Sequence, residues 1–335
     1  MIIRRHKAAP VLGNEKRPPG VRTSVEWAHL AAVQLTYREN TPSLSAEQRS
    51  TAVQRVADTI STPYIPSRRR RRLVDISVLK RNRSRTTATP PLITKSDLAN
   101  GPVVAVKVGD RVELSPLIDV SSDLLLKGVP IRHLARRREM PHRNGAYFSI
   151  TDDDLVVYES QLELQQLMLA DFDPTVTAIR AQPFRLYALH DGLVRRHVPD
   201  YCLFHGDGSM RIVNVKNPQM AATPDVIAFH AWVAEQLALG GFPHEEFTGV
   251  PRVVEQNLRN LAGCRSRLWL HRYPLADSYL AWEEGDTIGS LEWRLKREWP
   301  KSLLRPAIRH LIWHGWLTTD LTVTLSDRSV LERVA

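Results

Sequence analysis

Two β-forming runs, Tyr201-Cys202-Leu203-Phe204 and Arg211-Ile212-Val213-Asn214-Val215, flank the segment His205-Gly206-Asp207-Gly208-Ser209. A short polar turn carrying glycine between such runs is a hairpin signal, and it fixes a pairing in the middle of the chain. Pro199-Asp200 then stands at the start of one strand, opposite the end of the next, where Lys216 follows Val215. Side chains alternate along a strand, so Ile212, Asn214 and Lys216 share one side and Val213 and Val215 the other. Asn214 and Lys216 are expected to converge beside Asp200.

Upstream, Tyr158 to Ala170 has the length and composition of a helix, with Tyr158, Leu162 and Leu169 on one stripe and Glu159, Glu163 and Gln166 on its neighbour. Packed on the sheet, this helix would bring a carboxylate within reach of Asp200. Oxygen ligands of this kind suit Mg²⁺, which binds through one or two carboxylates and keeps waters and phosphate oxygens in its other positions. Such an ion polarises a phosphodiester and readies a water, and a cation such as Lys216 stabilises the developing charge. Acids and lysines near strand ends are common, so the pattern alone does not single out a nuclease.

The order of features around it is more specific. Tyr158-Glu159-Ser160-Gln161-Leu162-Glu163, Asp171-Phe172-Asp173-Pro174-Thr175-Val176, Gln182-Pro183-Phe184, Arg196-His197-Val198-Pro199-Asp200 and Val213-Asn214-Val215-Lys216 follow one another. Over roughly residues 144 to 270 this series resembles the TnsA-like family, the endonuclease subunits of heteromeric transposases, whose catalytic domain is of the restriction-enzyme type. The resemblance implies a helix acid at Glu163, with Glu159 as the fallback, a strand acid at Asp200, a third ligand at Asn214 and a lysine at Lys216. It implies Mg²⁺, with Mn²⁺ as a substitute, held by Glu163, Asp200 and Asn214. The implied partners are double-stranded DNA at transposon ends, a DDE-type transposase that cuts the other strand, and an AAA+ ATPase regulator. Asn214 departs from the usual acid or glutamine, and its neutral carbonyl should weaken the hold on a divalent ion.

Charge supports a nucleic-acid partner. Residues 1–150 hold 27 Lys plus Arg against 12 Asp plus Glu, and residues 151–335 hold 19 against 24, so the halves carry +15 and −5. A basic arm that tracks phosphates, joined to an acid-rich catalytic region, fits that asymmetry. Its densest stretch is Arg68, Arg69, Arg70, Arg71 and Arg72, which reads equally as a solvated linker. Arg136, Arg137 and Arg138 precede the core and would line a DNA channel or simply the surface. Two cysteines, Cys202 and Cys264, imply no disulfide framework. No apolar run reaches the roughly 18 residues of a membrane span, and the N-terminus lacks a signal peptide's apolar stretch, so a cytoplasmic protein is expected.

The expected class is α/β: a restriction-endonuclease-like core with a basic N-terminal extension and a C-terminal winged-helix-like domain. Residues 1–135 would form the basic region, with helices over 25–37 and 46–60 and a small β unit at 103–114. Residues 136–270 would form the nuclease domain, with a helix over 158–170, strands near 183–189, 194–204 and 210–216, a helix near 225–239, a strand near 245–250 and a helix over 251–262. Residues 271–335 would carry helices over 286–298 and 303–314, a hairpin within 316–325, and a core of Trp293, Trp299, Trp313 and Trp316. Lys301, Arg305, Arg309 and His310 are candidates to face phosphate, unless this domain docks on partner proteins, Gln182 to touch the site or cap the sheet edge, and His197 to touch phosphate or lie at the surface. The absence of G-x-x-x-x-G-K-[ST], zinc-ligand spacing and G-x-S-x-G argues against an ATPase, a zinc site and a serine hydrolase. Two rivals remain: a stand-alone restriction or repair nuclease of the same fold, and a catalytically weak DNA-binding scaffold within the transposase.

Overall fold

The protein is described by a computed structural model over residues 92–132, 144–266 and 274–334. The helices expected at 25–37 and 46–60, and the arginine clusters 68–72 and 136–138, lie outside the described residues.

In chain order the elements are Val103–Val108 (β1), Arg111–Pro116 (β2), Ser122–Lys127 (α1), Gly145–Ser149 (β3), Asp154–Tyr158 (β4), Gln161–Phe172 (α2), Val176–Ala181 (β5), Arg185–His190 (β6) and Leu193–His197 (β7). They continue as Tyr201–His205 (β8), Met210–Val215 (β9), Pro218–Ala221 (α3), Pro224–Leu239 (α4), His244–Phe247 (β10), Arg252–Ala262 (α5), Leu275–Leu280 (α6), Ile288–Leu295 (α7), Lys301–Trp313 (α8), Leu317–Thr318 (β11) and Glu332–Arg333 (β12). The architecture is mixed α/β.

The central sheet has the order β10-β9-β8-β5. Strands β5, β8 and β9 run antiparallel, and β10 lies parallel to β9, reached through the crossover helix α4. The hairpin expected at 201–215 is present, with Tyr201 opposite Val213 and Cys202 opposite Ile212. Its alternation sorts the core: Tyr201, Leu203, Val213 and Val215 join an apolar cluster with α2, α5 and α8. Cys202, Phe204 and Ile212 join a second cluster with α4 and with Val104, Val106 and Leu186.

A second sheet, β2-β1-β6-β7, holds the small β unit, because β1 pairs with β6 through Val104 and Leu186. The single strand expected over 194–204 is two strands in different sheets: β7 pairs with β6, whereas β8 pairs with β5 and β9. The break falls at Val198-Pro199-Asp200, where Pro199 has no N–H to donate to a ladder. The helix expected over 158–170 begins later, at Gln161, because Tyr158 is the last residue of β4, paired with Gly145.

Asp171 ties that hairpin to α2. Buried at the helix end, it accepts hydrogen bonds from Tyr147 Oη at 2.8 Å, Ser149 Oγ at 2.7 Å and the Thr151 N–H at 2.9 Å. The acid quoted within the family-like series thus holds α2, and with it Glu163, against the core.

The C-terminal segment packs on the same apolar cluster through α8. Its hairpin has arms 317–318 and 332–333, with a further bridge from Thr287 to Val330, so the turn expected within 316–325 is replaced by a longer connection. Trp313 is buried and Trp299 and Trp316 pack at the margin, but Trp293 is 69% exposed, with the Lys296 ammonium 4.4 Å from its ring centre. Arg305 pairs with Glu292 and Asp327, Lys301 reaches the same two acids, and buried His310 bonds the Cys264 carbonyl at 2.6 Å. Arg305 and His310 are thus engaged within the fold, while the Lys301 side chain stays 65% exposed.

Candidate active site

The central sheet sets up the site by its register. Ala181, Tyr201, Val213 and Glu245 lie side by side across the four strands. One residue further on, Gln182, Asp200, Asn214 and Glu246 form a polar row. The Gln182 N–H donates to the Asp200 carbonyl at 2.8 Å, the Asp200 N–H donates to the Val213 carbonyl at 3.2 Å, and Glu246 is in register with Asn214. Gln182 is buried and adopts a left-handed backbone, φ 47°, which costs a residue with a Cβ roughly 1–2 kcal/mol.

Asp200 anchors one side of this row. Its Oδ2 accepts the Val215 N–H at 2.7 Å, capping the end of β9. Glu163 approaches from the first turn of α2, where the sequence Ser160-Gln161-Leu162-Glu163 forms a capping box-like arrangement. The Ser160 hydroxyl accepts the Glu163 N–H at 3.1 Å and donates to its carboxylate at 3.0 Å, while the Glu159 N–H donates to Glu163 Oε2 at 2.8 Å. Tyr201 Oη, buried in β8, donates to the same oxygen at 3.4 Å. This S-x-x-E signal was available in the sequence and places Glu163, not Glu159, on the helix.

Burial pushes the Glu163 carboxyl up to about 7, against the pull of the Glu159 N–H, and the nearby Asp200 charge pushes it further. Burial also raises Asp200, opposed by the Val215 N–H, Lys216 and Arg132. Arg132 in turn lies 3.8 Å from the Glu159 carboxylate. Glu163 and Asp200 thus lie within reach of each other's charge, and Glu159, Lys216 and Arg132 act on Asp200 in the same way.

Asn214 is turned to different partners. Fully buried, it bonds His197 Nε2 through its oxygen at 2.9 Å and His244 Nε2 through its nitrogen at 2.7 Å. Burial lowers His197 to about 3 and His244 to about 4, so both rings are neutral near pH 7. One neutral imidazole donates and the other accepts, a demand that a carboxamide meets with a single side chain. His230 of α4 stands behind them, its ring centre 6.1 Å from that of His197 and 6.2 Å from that of His244. His197, expected to touch phosphate or lie at the surface, is largely buried and braces Asn214. His244 and His230 were not anticipated, because their proximity arises only from the α4 crossover.

Among the described residues, no group of three or more His, Cys, Asp or Glu is arranged to hold an ion. The donors of Glu163 and Asp200 nevertheless suit Mg²⁺, which needs few protein oxygens. Two acids whose burial favours their protons also give up those protons to a divalent cation. Asn214, with its carbonyl committed to His197, does not complete that set as arranged. No family model matches the chain, and no curated protein matches it.

Proposed function

We propose that this chain is a divalent-metal-dependent DNA endonuclease of the TnsA-like kind, which hydrolyses one strand at transposon ends. The observation that carries this reading is the Glu163–Asp200 acid pair, contributed by a helix and a strand start 37 positions apart and flanked by Lys216 on the next strand. The surrounding order supports it: a helix, three antiparallel strands, a crossover helix and a parallel fourth strand. The three C-terminal helices and the β11–β12 pair support a winged-helix-like module.

Glu163 and Asp200 would hold the ion, Mg²⁺ or Mn²⁺, which supplies charge for the phosphoryl oxygen and a readied water. Val215 and Ser160 hold the two carboxylates in place, so the donors do not reorganise when substrate arrives. Lys216 would neutralise charge developing on the phosphate. The basic segments at Arg68–Arg72 and Arg136–Arg138 would follow the DNA backbone. A DDE-type transposase and an AAA+ ATPase regulator are the proposed partners and the cytoplasm the proposed location. No helix among the described residues is long and apolar enough to cross a membrane.

The commitment of Asn214 to two histidines favours a second reading, a DNA-binding scaffold with a weakened metal centre. Titration of Mn²⁺ followed by electron paramagnetic resonance separates the two. The nuclease reading expects one tight site, lost in Asp200→Ala and weakened in Glu163→Gln; no bound Mn²⁺ at millimolar concentration would contradict it.

A further inference from the structure

The sheet β2-β1-β6-β7 turns one face to the central sheet and lines the other with cations. Val104 pairs with Leu186, and both join the apolar cluster that holds Cys202, Phe204 and Ile212. Side chains alternate, so the opposite face carries Lys107 of β1, Arg185 and Tyr187 of β6 and Arg196 of β7. It carries no acid from the strands: Glu113 of β2 is paired with Val106 and shares the apolar side. Asp97, in the segment that covers this face, is occupied by Thr94, whose N–H and hydroxyl both donate to it at 2.7 Å.

The register sets the cations in line. Arg196 is directly opposite Tyr187, and Arg185 is directly opposite Ala105, two residues before Lys107. Lys107, Arg185 and Arg196 therefore stand on a diagonal across three strands, each step roughly 7–8 Å. The diagonal spans about 15 Å, over which one strand of a duplex presents about four phosphates. Arg196 is exposed, Arg185 and Lys107 are half-buried, and no ion pair joins any of the three to an acid among the described residues.

Backbone hydrogen bonds tie this diagonal to the acid pair. The Lys107 carbonyl accepts the Val129 N–H at 2.8 Å, and the Ile131 N–H donates to the Gln182 carbonyl at 3.3 Å. Gln182 in turn donates its N–H to the Asp200 carbonyl. Ile131 packs with Tyr187 and Val198, and the next residue, Arg132, lies 3.8 Å from the Glu159 carboxylate. The segment 129–132 thus runs from the end of the diagonal to the acids.

We propose that Lys107, Arg185 and Arg196 form a phosphate-binding track that lays duplex DNA along this face and leads its backbone to Glu163 and Asp200. The proposal rests on the nuclease reading. Cations at regular steps, without acid partners, suit the repeating charge of a nucleic-acid backbone and position it without reading its bases.

The test is duplex binding by the full chain, followed by fluorescence anisotropy in EDTA across a salt series, so that no cleavage intervenes. Arg196→Gln is expected to weaken binding about tenfold and to reduce the slope of log affinity against log salt by about 1. The combined Lys107→Gln, Arg185→Gln and Arg196→Gln variant should reduce that slope by about 3. Arg195→Gln removes the same charge one residue away, on the other face, and should leave affinity and slope unchanged. Arg196→Lys should recover most of the affinity, and the melting temperatures of the two exposed-site glutamine variants should match wild type. In plasmid nicking with Mg²⁺, Arg196→Gln should raise KM and keep kcat, because the contact is made in ground and transition states alike. Wild-type nicking, with Arg196→Gln binding DNA as wild type does or no worse than Arg195→Gln, overturns this proposal alone. Track-dependent binding with no nicking in Mg²⁺ or Mn²⁺ overturns the nuclease reading and leaves the track standing. A wild-type chain that neither nicks nor binds duplex at low salt overturns both.

Discussion

Asn214 donates its amide N–H to His244 Nε2 at 2.7 Å, which makes a residue first read as a metal ligand the centre of a buried hydrogen-bonded row. The row joins β7, β9 and β10 at the level of Asp200, so its integrity determines how those strand ends are presented. Asn214→Ala would strand a ring nitrogen on each of two buried imidazoles. A destabilisation of about 2–4 kcal/mol is expected, read from urea unfolding midpoints.

Glu163 would contribute a pH dependence to the proposed metal binding. Its folded value of about 7 lies above the ordinary 4.5, so the folded chain binds this proton more tightly than the unfolded one. The group's contribution to stability is present below 4.5 and declines as pH rises through 7. A cation needs the ionised form, so affinity is expected to rise as pH increases toward 7, with a proton released on binding. Calorimetric Mn²⁺ titration at pH 6.5, in buffers of different ionisation enthalpy, measures that proton; Glu163→Gln should reduce the release, leaving only the share of Asp200.

The buried histidines act in the opposite sense. His244 titrates at about 4 in the folded chain and near 6.5 when unfolded, so the unfolded state binds the extra proton between those values. Stability from this group is present above 6.5 and lost as pH falls through the window. His244→Gln retains an acceptor for Asn214 but cannot titrate. Relative to wild type its stability should improve on acidification from pH 7 to 5, by up to about 1.4 kcal/mol per pH unit.

Asp171 controls the placement of α2 without touching the proposed chemistry. It accepts from two side-chain hydroxyls and from the Ile150 and Thr151 backbones. Asp171→Ala leaves those donors unpaired and is expected to cost about 3 kcal/mol or more. In native-state hydrogen exchange, protection should be lost first across 145–158 and the end of α2.

The parts of the fold that were legible in the sequence are those written locally. The β8–β9 hairpin follows from its turn and alternation, and α4, β10 and α5 follow from their periodicity and lengths. Non-local pairings were not legible: β1 joins β6 across some eighty positions, and the chain changes sheet at Pro199, so one apparent strand is two. Strand β5 and the β3–β4 hairpin were missed because neither carries a strong turn signal of its own. At the site, Asp200 lies near enough for its charge to raise Glu163, whereas residue type and spacing do not reveal the two histidine partners of Asn214. His244 and His230 reach it only through the α4 crossover, and Glu246 joins the row only through parallel pairing.

The most direct measurement is strand cleavage of supercoiled plasmid carrying candidate transposon ends, in Mg²⁺ or Mn²⁺, with the chain alone and with the proposed transposase partner. Metal-dependent nicking that vanishes in Asp200→Ala and in Lys216→Ala is the expected result. Intact DNA binding with no cleavage in either metal, with or without the transposase, would contradict the account and leave a DNA-binding scaffold in its place.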